Sequence, residues 1–474
     1  MNSQMLALLN EQGFSLYDNS VRKTTGACEI FVVSRGQDKY VGTSGCSDEY
    51  QDCVFSSRDV CVFPLNWANY LRLRTKAPIA PVKCSEKASF GMGDRLGLVT
   101  AAHMSAVSGL DVFPVVAQQS PRELGKTNRD WHDVLLEAAL GVLESGCTRS
   151  YGADADHIKD EHYLRDAAAA GFSMYTLDVS DWLGEVSGLS DSDAVEKTRR
   201  LSDAGRAVVS QLNGKNISVA NRSDYRFSEA ELARSALAYE KSMLECIRLR
   251  NVIKSYVSDF DLEVSIDEGS RDTTPEDHAF VAQFLHDNGV DFTSLAPKFP
   301  GEFQKAVEYS GDTTALATSM HTHGAIARAM GGYRLSLHSG SDKFSVYPLF
   351  AEATEGNFHI KTSGTSWLMA MKLVASQDTN LFNELYGLCL DNLADSKKAY
   401  HVYITPDIFP NQPPQDVVSF YEKPDVRQLF HISYGVLLDA RKTEIFDVLA
   451  RNEPEHYKYV AEHIGNHLQL ALKG

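Results

Sequence analysis

From about residue 90 onward the chain repeats one pattern: a short apolar run ending in polar residues, then a helical stretch. The runs are RLGLVT (95–100), DVFPVVA (111–117), YGADADH (151–157), MYTLDVSD (174–181), LEVSIDE (262–268), FTSLAP (292–297), RLSLHSGSD (334–342) and FHIKTSG (358–364), with HVYIT (401–405) as a further candidate. Between them lie helical patterns such as DVLLEAALGVLESG. Strands separated by helices do not pair as hairpins; they build a parallel sheet that the helices cover. About eight such units over roughly 300 residues predict an α/β fold, a (β/α)8 TIM-like barrel, a fold that typically takes about 250 residues before insertions. One candidate strand is in excess, which leaves the register of the first strands open.

Residues 1–85 read differently. Their short β-rich runs (EIFVVSR, KYVGTS, DVCVFPL) are broken by Gly, Ser and Asp and end in the proline-punctuated KAPIAPVKC. They predict a small N-terminal α+β cap domain before a catalytic barrel over 86–474. Residues 183–257 carry two long helical segments and no obvious strand, which predicts a helical insertion between two barrel strands. Ser228 and Glu231 stand in capping-box spacing at the start of the second segment. Its stripe of Leu232, Ala236, Tyr239, Met243 and Cys246 reads as packing.

The net charge of −17 argues against a broad nucleic-acid or anionic-membrane surface. It also means that an anionic substrate requires a local cluster of Lys and Arg. No window approaches 18 apolar residues, and the opening MNSQMLALLNEQGF has no basic n-region. A cytoplasmic chain is expected, with its eight cysteines, none in a CxxC pair, as reduced thiols. There is no Walker loop, dinucleotide fingerprint or GxSxG elbow, so no nicotinamide site is expected.

In such a barrel the C-terminal ends of the strands face one pocket. GADADHIKD (152–160) puts Asp154, Asp156, His157 and Lys159 within six residues. Other strand ends bring Asp94 and Arg95, Asp178 and Asp181, Asp267 and Glu268, Lys298, His338 with Asp342 and Lys343, and His359 with Lys361. Ser336 and His338 alternate with Leu335 and Leu337, and His359 alternates with Phe358 and Ile360. One such histidine alone is ordinary core. Two on consecutive strands, joined by His157 and a carboxylate oxygen, make a divalent-metal site with room for substrate. His321 and His323, two apart on a helical pattern, point to different faces and read as surface or packing residues. The end of LEVSIDE can turn Asp267 or Glu268 inward, not both. A carboxylate beside a bound divalent ion can remove a hydroxyl proton. KTSGTSW (361–367) opens a helix whose free N–H groups favour a carboxylate or phosphate. Arg95, Lys298, Lys343 and Lys361 supply the local positive field.

GDRLGL (93–98), GADADHIK (152–159), TLDVSD (176–181), the acidic end of VSIDE, SLAPKF (294–299), SLHSGSDKFSVYP (336–348) and HIKTSGTSWLMA (359–370) together resemble the tagaturonate/fructuronate epimerase family of hexuronate catabolism. The resemblance implies a metal-dependent barrel isomerase, with Zn first and Mn, Ni or Co as alternatives. It implies His157, His338 and His359 as ligands, and Asp156 and Glu268 as base and acid in either order. Arg95, Lys298, Ser339, Asp342, Lys343, Lys361, Ser363 and Thr365 become candidate substrate contacts. The two sugar acids differ at a hydroxyl-bearing carbon β to the ketone, whose C–H is not acidic. Retro-aldol cleavage and re-addition can invert that carbon. A metal-dependent aldolase or isomerase of another acidic sugar, or an inactive sugar-acid-binding protein, is the alternative. The expected partner is a small uronate, with no nucleic acid and no membrane; a homo-oligomer is left open.

Overall fold

The strand–helix alternation closes into a barrel. A computed structural model describes residues 3–24, 28–46, 49–57, 59–220 and 222–473. Its barrel strands are β1 (Ser89–Gly93), β2 (Phe113–Gln119), β3 (Gly152–Ile158), β4 (Met174–Asp178), β5 (Asp261–Ser265), β6 (Ser294–Ala296), β7 (Arg334–Leu337) and β8 (Phe358–Thr362). Each pairs in parallel with the next, and β8 pairs with β1, leaving no edge. The helices that matter for the site are α1 (Pro121–Thr127), α2 (Glu229–Lys254), α3 (Pro275–Asp287), α4 (Thr313–Ala329), α5 (Pro424–Arg451) and α6 (Glu453–Ala471).

The first strand is SFGMG rather than the expected RLGLVT. Glycine is what this position needs: a Cβ on Gly91 would lie 1.8 Å from Gln118 Oε1, and one on Gly93 would lie 2.9 Å from Ser363 Cα. LGLVT instead folds around one side chain. Asp94 Oδ1 accepts the N–H groups of Leu96 and Gly97, and its Oδ2 accepts that of Val99. The surplus candidate, 401–405, is not a strand.

The N-terminal segment forms an antiparallel sheet around Glu29–Arg35, Asp38–Ser44 and Val60–Phe63, followed by a helix, Trp67–Leu73. Its buried face (Ile30, Val32, Phe63, Leu73) packs on Ala139 and Leu143 of the barrel helix Trp131–Ser145. That contact fixes this segment to the side of the barrel. Contrary to the expectation of reduced thiols throughout, Cys28 and Cys46 are joined in a disulfide.

The insertion between β4 and β5 is helical but is not a simple hairpin. It holds the short helices Asp191–Lys197 and Asp203–Leu212, a two-stranded hairpin (Asn216–Ile217, Tyr225–Arg226) and the long α2. Ser228 makes no side-chain cap; its N–H donates to Glu276 of α3, and Glu231 pairs with Arg234. Leu232, Ala236, Tyr239, Met243 and Cys246 are buried as a packing stripe. His323 is also a packing residue, hydrogen-bonded to His278 at 2.9 Å. At the C-terminus α5 is anchored by buried Trp367, whose Nε1 donates to the Phe430 carbonyl at 2.9 Å. Burying an aromatic of this size contributes on the order of 3 kcal/mol. No helix among the described residues is long and apolar enough to cross a membrane.

Candidate active site

Strict alternation along GADADH would point Asp154 and Asp156 inward and His157 away. The strand breaks that rule. Between Ala155 and Ile158 it carries one residue more than its partner β4, and His157 sits there with φ 50°. A bulge of this kind re-aims a side chain, at about 1–2 kcal/mol for a left-handed non-glycine residue. Asp156 and His157 thereby reach the same side, and His157 Nδ1–H donates to Asp156 Oδ1 at 2.7 Å.

His338, directly after β7, mirrors this arrangement. Its Nε2–H donates to Glu263 Oε1 at 2.7 Å. The nitrogen left over, Nδ1, lies 3.0 Å from Asp267 Oδ2 yet forms no hydrogen bond with it. The His157 and His338 rings stand 4.7 Å apart. Ser265 Oγ donates to the other Asp267 oxygen, which fixes the carboxylate.

Beneath the imidazoles lies Lys361. Its ammonium is 2.7 Å from Asp154 Oδ2, 2.7 Å from Asp156 Oδ1 and 2.8 Å from Glu263 Oε1. Thr176 Oγ1 donates to Asp154 at 3.0 Å and Ser294 Oγ to Glu263 at 2.6 Å. Burial opposes the charge on Lys361, but its three acids hold its pKa well above the ordinary value. Burial pushes Asp154 up to about 6 against the pull of Lys361. Burial would also raise Asp156 and Glu263, but the cations beside them hold both well below the usual carboxylate range.

One donor atom each from His157, Asp267 and His338 lies within 4.8 Å of the other two. Two imidazole nitrogens and one carboxylate oxygen are a hard-to-borderline set suited to a divalent ion with a position left open. Ligand atoms about 2.1 Å from a tetrahedral metal stand about 3.4 Å from each other, close to the 3.0 Å between His338 Nδ1 and Asp267 Oδ2. The site also favours added positive charge. Burial disfavours protonated His338, yet Asp267 and Glu263 raise its pKa to about 10. The residues therefore fit a divalent ion.

His359 does not join them, which corrects the expected three-histidine set. It precedes Lys361 by two residues on the same inward face and lies one layer deeper. Its Nδ1 is bonded to Ser89 Oγ at 2.8 Å, and burial pushes its pKa down to about 3. The third group that could hold an ion with His157 and His338 is Asp267. Of the pair expected as base and acid, Asp156 is held between His157 and Lys361, whereas Glu268 is 52% exposed with its Oε1 3.6 Å from His157 Nε2.

Several expected substrate contacts are spent on the fold. Lys343 donates to the carbonyls of Gln304, Val307 and Ser341. Asp342 pairs with His463 at 2.7 Å and with Arg427 at 3.3 Å, while its N–H donates to His467 Nε2. That second carboxylate–imidazole group has its cation in Arg427. Arg95 is bound to Glu123 and the His431 carbonyl and lies 3.8 Å over the Tyr434 ring. Lys298 donates to the Gly269 carbonyl, and Thr365 donates to Ser341 Oγ. Lys361 serves the carboxylates described above. Ser363 stays in the turn packed against Gly93, and Ser339, with φ 52°, accepts from Lys305 Nζ at 2.7 Å.

Glu263, Thr176 and Lys305 escaped the sequence reading, and Asp267 was weighed only against Glu268. For two of them the signal is present: Glu263, Ser265 and Asp267 alternate with Leu262, Val264 and Ile266, so one face carries both acids. Nothing local marks Lys305, which sits in a loop.

A closed (β/α)8 barrel with this lysine–carboxylate–imidazole centre at the C-terminal ends of its strands defines a barrel enzyme. The chain belongs to the tagaturonate epimerase family (UxaE), whose model matches residues 17–471, and is thus a carbohydrate epimerase of the isomerase class. It is 41% identical over 411 residues to the tagaturonate/fructuronate epimerase of Thermotoga maritima, covering 85% of each chain. The native crystal structure of the fructuronate-tagaturonate epimerase UxaE from Cohnella laeviribosi matches with a TM-score of 0.90 at 32% identity, over 99% of both chains. A complex of the same enzyme with two glycerols matches at TM-score 0.90 and 33% identity, over 100% of both.

Proposed function

We propose that this protein interconverts D-tagaturonate and D-fructuronate by metal-assisted retro-aldol and aldol steps. The observation that carries the reading is the paired arrangement of His157 and His338. Each imidazole gives one nitrogen to a buried carboxylate, Asp156 or Glu263; the other nitrogen of His338 lies 3.0 Å from Asp267, and that of His157 lies 3.6 Å from Glu268. A carboxylate behind a histidine fixes its tautomer and raises its basicity, the usual support for a metal ligand. His157, Asp267 and His338 would hold the ion. A divalent cation, zinc first among Zn, Mn, Ni and Co, would supply Lewis-acid stabilisation of negative charge on substrate oxygen.

The chain's own groups then do the rest. Glu268, the exposed carboxylate beside His157, takes the proton from the hydroxyl on the carbon to be inverted. The bond between that carbon and its neighbour α to the ketone breaks, leaving an aldehyde; the bonding electrons pass to the ketone oxygen as an enediolate. Rotation of the aldehyde and re-addition to its other face forms the bond again, and Glu268 returns the proton. Asp156, pinned by Lys361, orients His157. Homologues named for this epimerisation, matched over nearly the whole chain, favour this substrate pair over another acidic sugar.

The test is an epimerase assay on fructuronate with purified protein, before and after chelation. Tagaturonate should form, stop forming on chelation and return with added divalent ion. Full turnover by metal-free protein would overturn the mechanism.

A further inference from the structure

The chain carries −17 overall, yet one side of the site is strongly basic. Lys305 stands in the loop between β6 and α4 with its ammonium 2.7 Å from Ser339 Oγ, the residue next to His338. Its backbone is clamped. Lys343 holds the carbonyls of Gln304 and Val307, and Gln428 of α5 donates to the Lys305 carbonyl at 2.8 Å. Ala306, with φ 60°, makes the turn.

The positive charge of Arg122 and Arg95 acts on Lys305, and Lys126 shares α1 with Arg122. Lys126 of α1 lies 5.3 Å from the ring centroids of both Tyr400 and Tyr434, and the Arg122 guanidinium lies 4.9 Å over Tyr400. Arg95 lies 3.8 Å over the Tyr434 ring. The acid among them, Glu123, is engaged by Arg95 at 3.1 Å. Among the described residues Lys126, Arg122 and Lys305 form no ion pair. Burial and this neighbouring positive charge hold the Lys305 pKa below its ordinary value, although Glu268 opposes the shift. Cations that outnumber the acids around them, with Glu123 already engaged by Arg95, fit an anion brought from outside.

We propose that Lys305, backed by Arg122 and Lys126, binds the carboxylate of the sugar acid and so directs its ketone-bearing end to His157, Asp267 and His338. The inference rests on the uronate reading above and names the groups that recognise the acid end. Lys305 bonds to Ser339, the residue next to His338, so a ligand held there extends to the imidazoles.

The test compares wild type with Lys305→Met, Lys305→Arg and Arg122→Gln on two substrates and two non-reacting ligands. The substrates are fructuronate and fructose, which differ at the carboxylate; the ligands are D-galactonate and the neutral galactitol. Lys305→Met should lose about 10–100-fold in kcat/KM on fructuronate, mainly through KM, and the preference for fructuronate over fructose should collapse. Lys305→Arg should recover part of it. Arg122 is exposed, so Arg122→Gln loses only the Tyr400 stacking and the bond to the Ala399 carbonyl, and it should weaken galactonate binding several-fold. Calorimetry with galactonate separates the two readings. Lys305-dependent binding of galactonate over galactitol supports the carboxylate site even in a protein that epimerises no uronate. Equal binding of the two ligands by wild type, or fructuronate kinetics within twofold of wild type in both Lys305→Met and Arg122→Gln, overturns it.

Discussion

Lys361 Nζ lies 2.8 Å from Glu263 Oε1, the same oxygen that accepts the proton of His338 Nε2 at 2.7 Å. The ammonium also contacts Asp156 Oδ1, the oxygen that accepts from His157 Nδ1. One buried cation thus anchors the carboxylates behind both imidazoles without touching either ring. That explains why a lysine stands beneath a group of residues that could hold a cation. It compensates the acids that orient the histidines, and its charge helps keep the deeper His359 neutral.

Removing this ammonium should therefore damage both fold and site. Lys361→Met leaves Asp154, Asp156 and Glu263 buried without their shared partner. Breaking a buried pair in this way costs about 3–5 kcal/mol. Loss of the orienting carboxylates should weaken divalent-ion affinity about 10–100-fold. Urea unfolding and metal titration of the purified variant measure the two effects. Unchanged values for both would show that the carboxylates do not depend on Lys361.

Metal content should separate the histidines. His338→Ala should abolish stoichiometric binding and reduce turnover at least about 1,000-fold if His338 holds the ion with Asp267 as proposed. His359→Asn should keep its metal, since His359 already bonds to Ser89. Elemental analysis after dialysis is sufficient. Metal lost from His359→Asn and kept by His338→Ala would reverse the assignment.

Acid stability follows from four other imidazoles. Burial pushes His103, His323, His456 and His467 each down to about 4. The unfolded chain binds these protons near pH 6.5. Their neutral state is thus compatible with full stability above pH 6.5, and stability falls as the pH drops from 6.5 towards 4. Each contributes up to about 1.4 kcal/mol per pH unit in that window. Between pH 6.5 and 5 the slope of unfolding free energy should exceed one proton, and His456→Gln should lower it. Asp154 and Glu137, which burial raises to about 6 and about 7, oppose the slope, but the four imidazoles outnumber them. A flat profile there would contradict the burial of these rings.

The barrel was legible because strands alternating with helices require a helix-covered parallel sheet, and about eight such units suit one that closes on itself. The first strand was not, because SFGMG owes its place to what its glycines admit, Gln118 and the Ser363 backbone, and those neighbours are remote in sequence. His157 and His338 stood out as histidines at strand ends. The reading erred at His359, where alternation gives the face of a strand but not the depth along it. It also took Arg95, Asp342 and Lys343 for substrate contacts, when each is satisfied by elements folded from distant sequence: His431 and Arg427 of α5, His463 and His467 of α6, and the 304–307 loop. Lys305 was invisible for the converse reason. A loop lysine gains meaning only when Gln428 and Lys343 fix its backbone.

Adjacent acids at the end of LEVSIDE give the sharpest separation of roles. Asp267 shares the inward face with Glu263 and meets His338 Nδ1 at 3.0 Å. Glu268 falls on the next position, half exposed, 3.6 Å from His157. Asp267→Asn should lose the ion and the activity together, because a neutral amide is a poorer ligand and no longer balances the imidazoles. Glu268→Gln should keep the ion and lose about 100–10,000-fold in kcat, the range expected when a proton-transfer group is removed. Its KM for fructuronate should change far less, because the amide keeps the shape of the side chain. Metal content and steady-state kinetics on the two variants decide the matter. If Glu268→Gln turns over normally while Asp156→Asn does not, the proton is carried on the other side of His157, and Asp156 is the base after all.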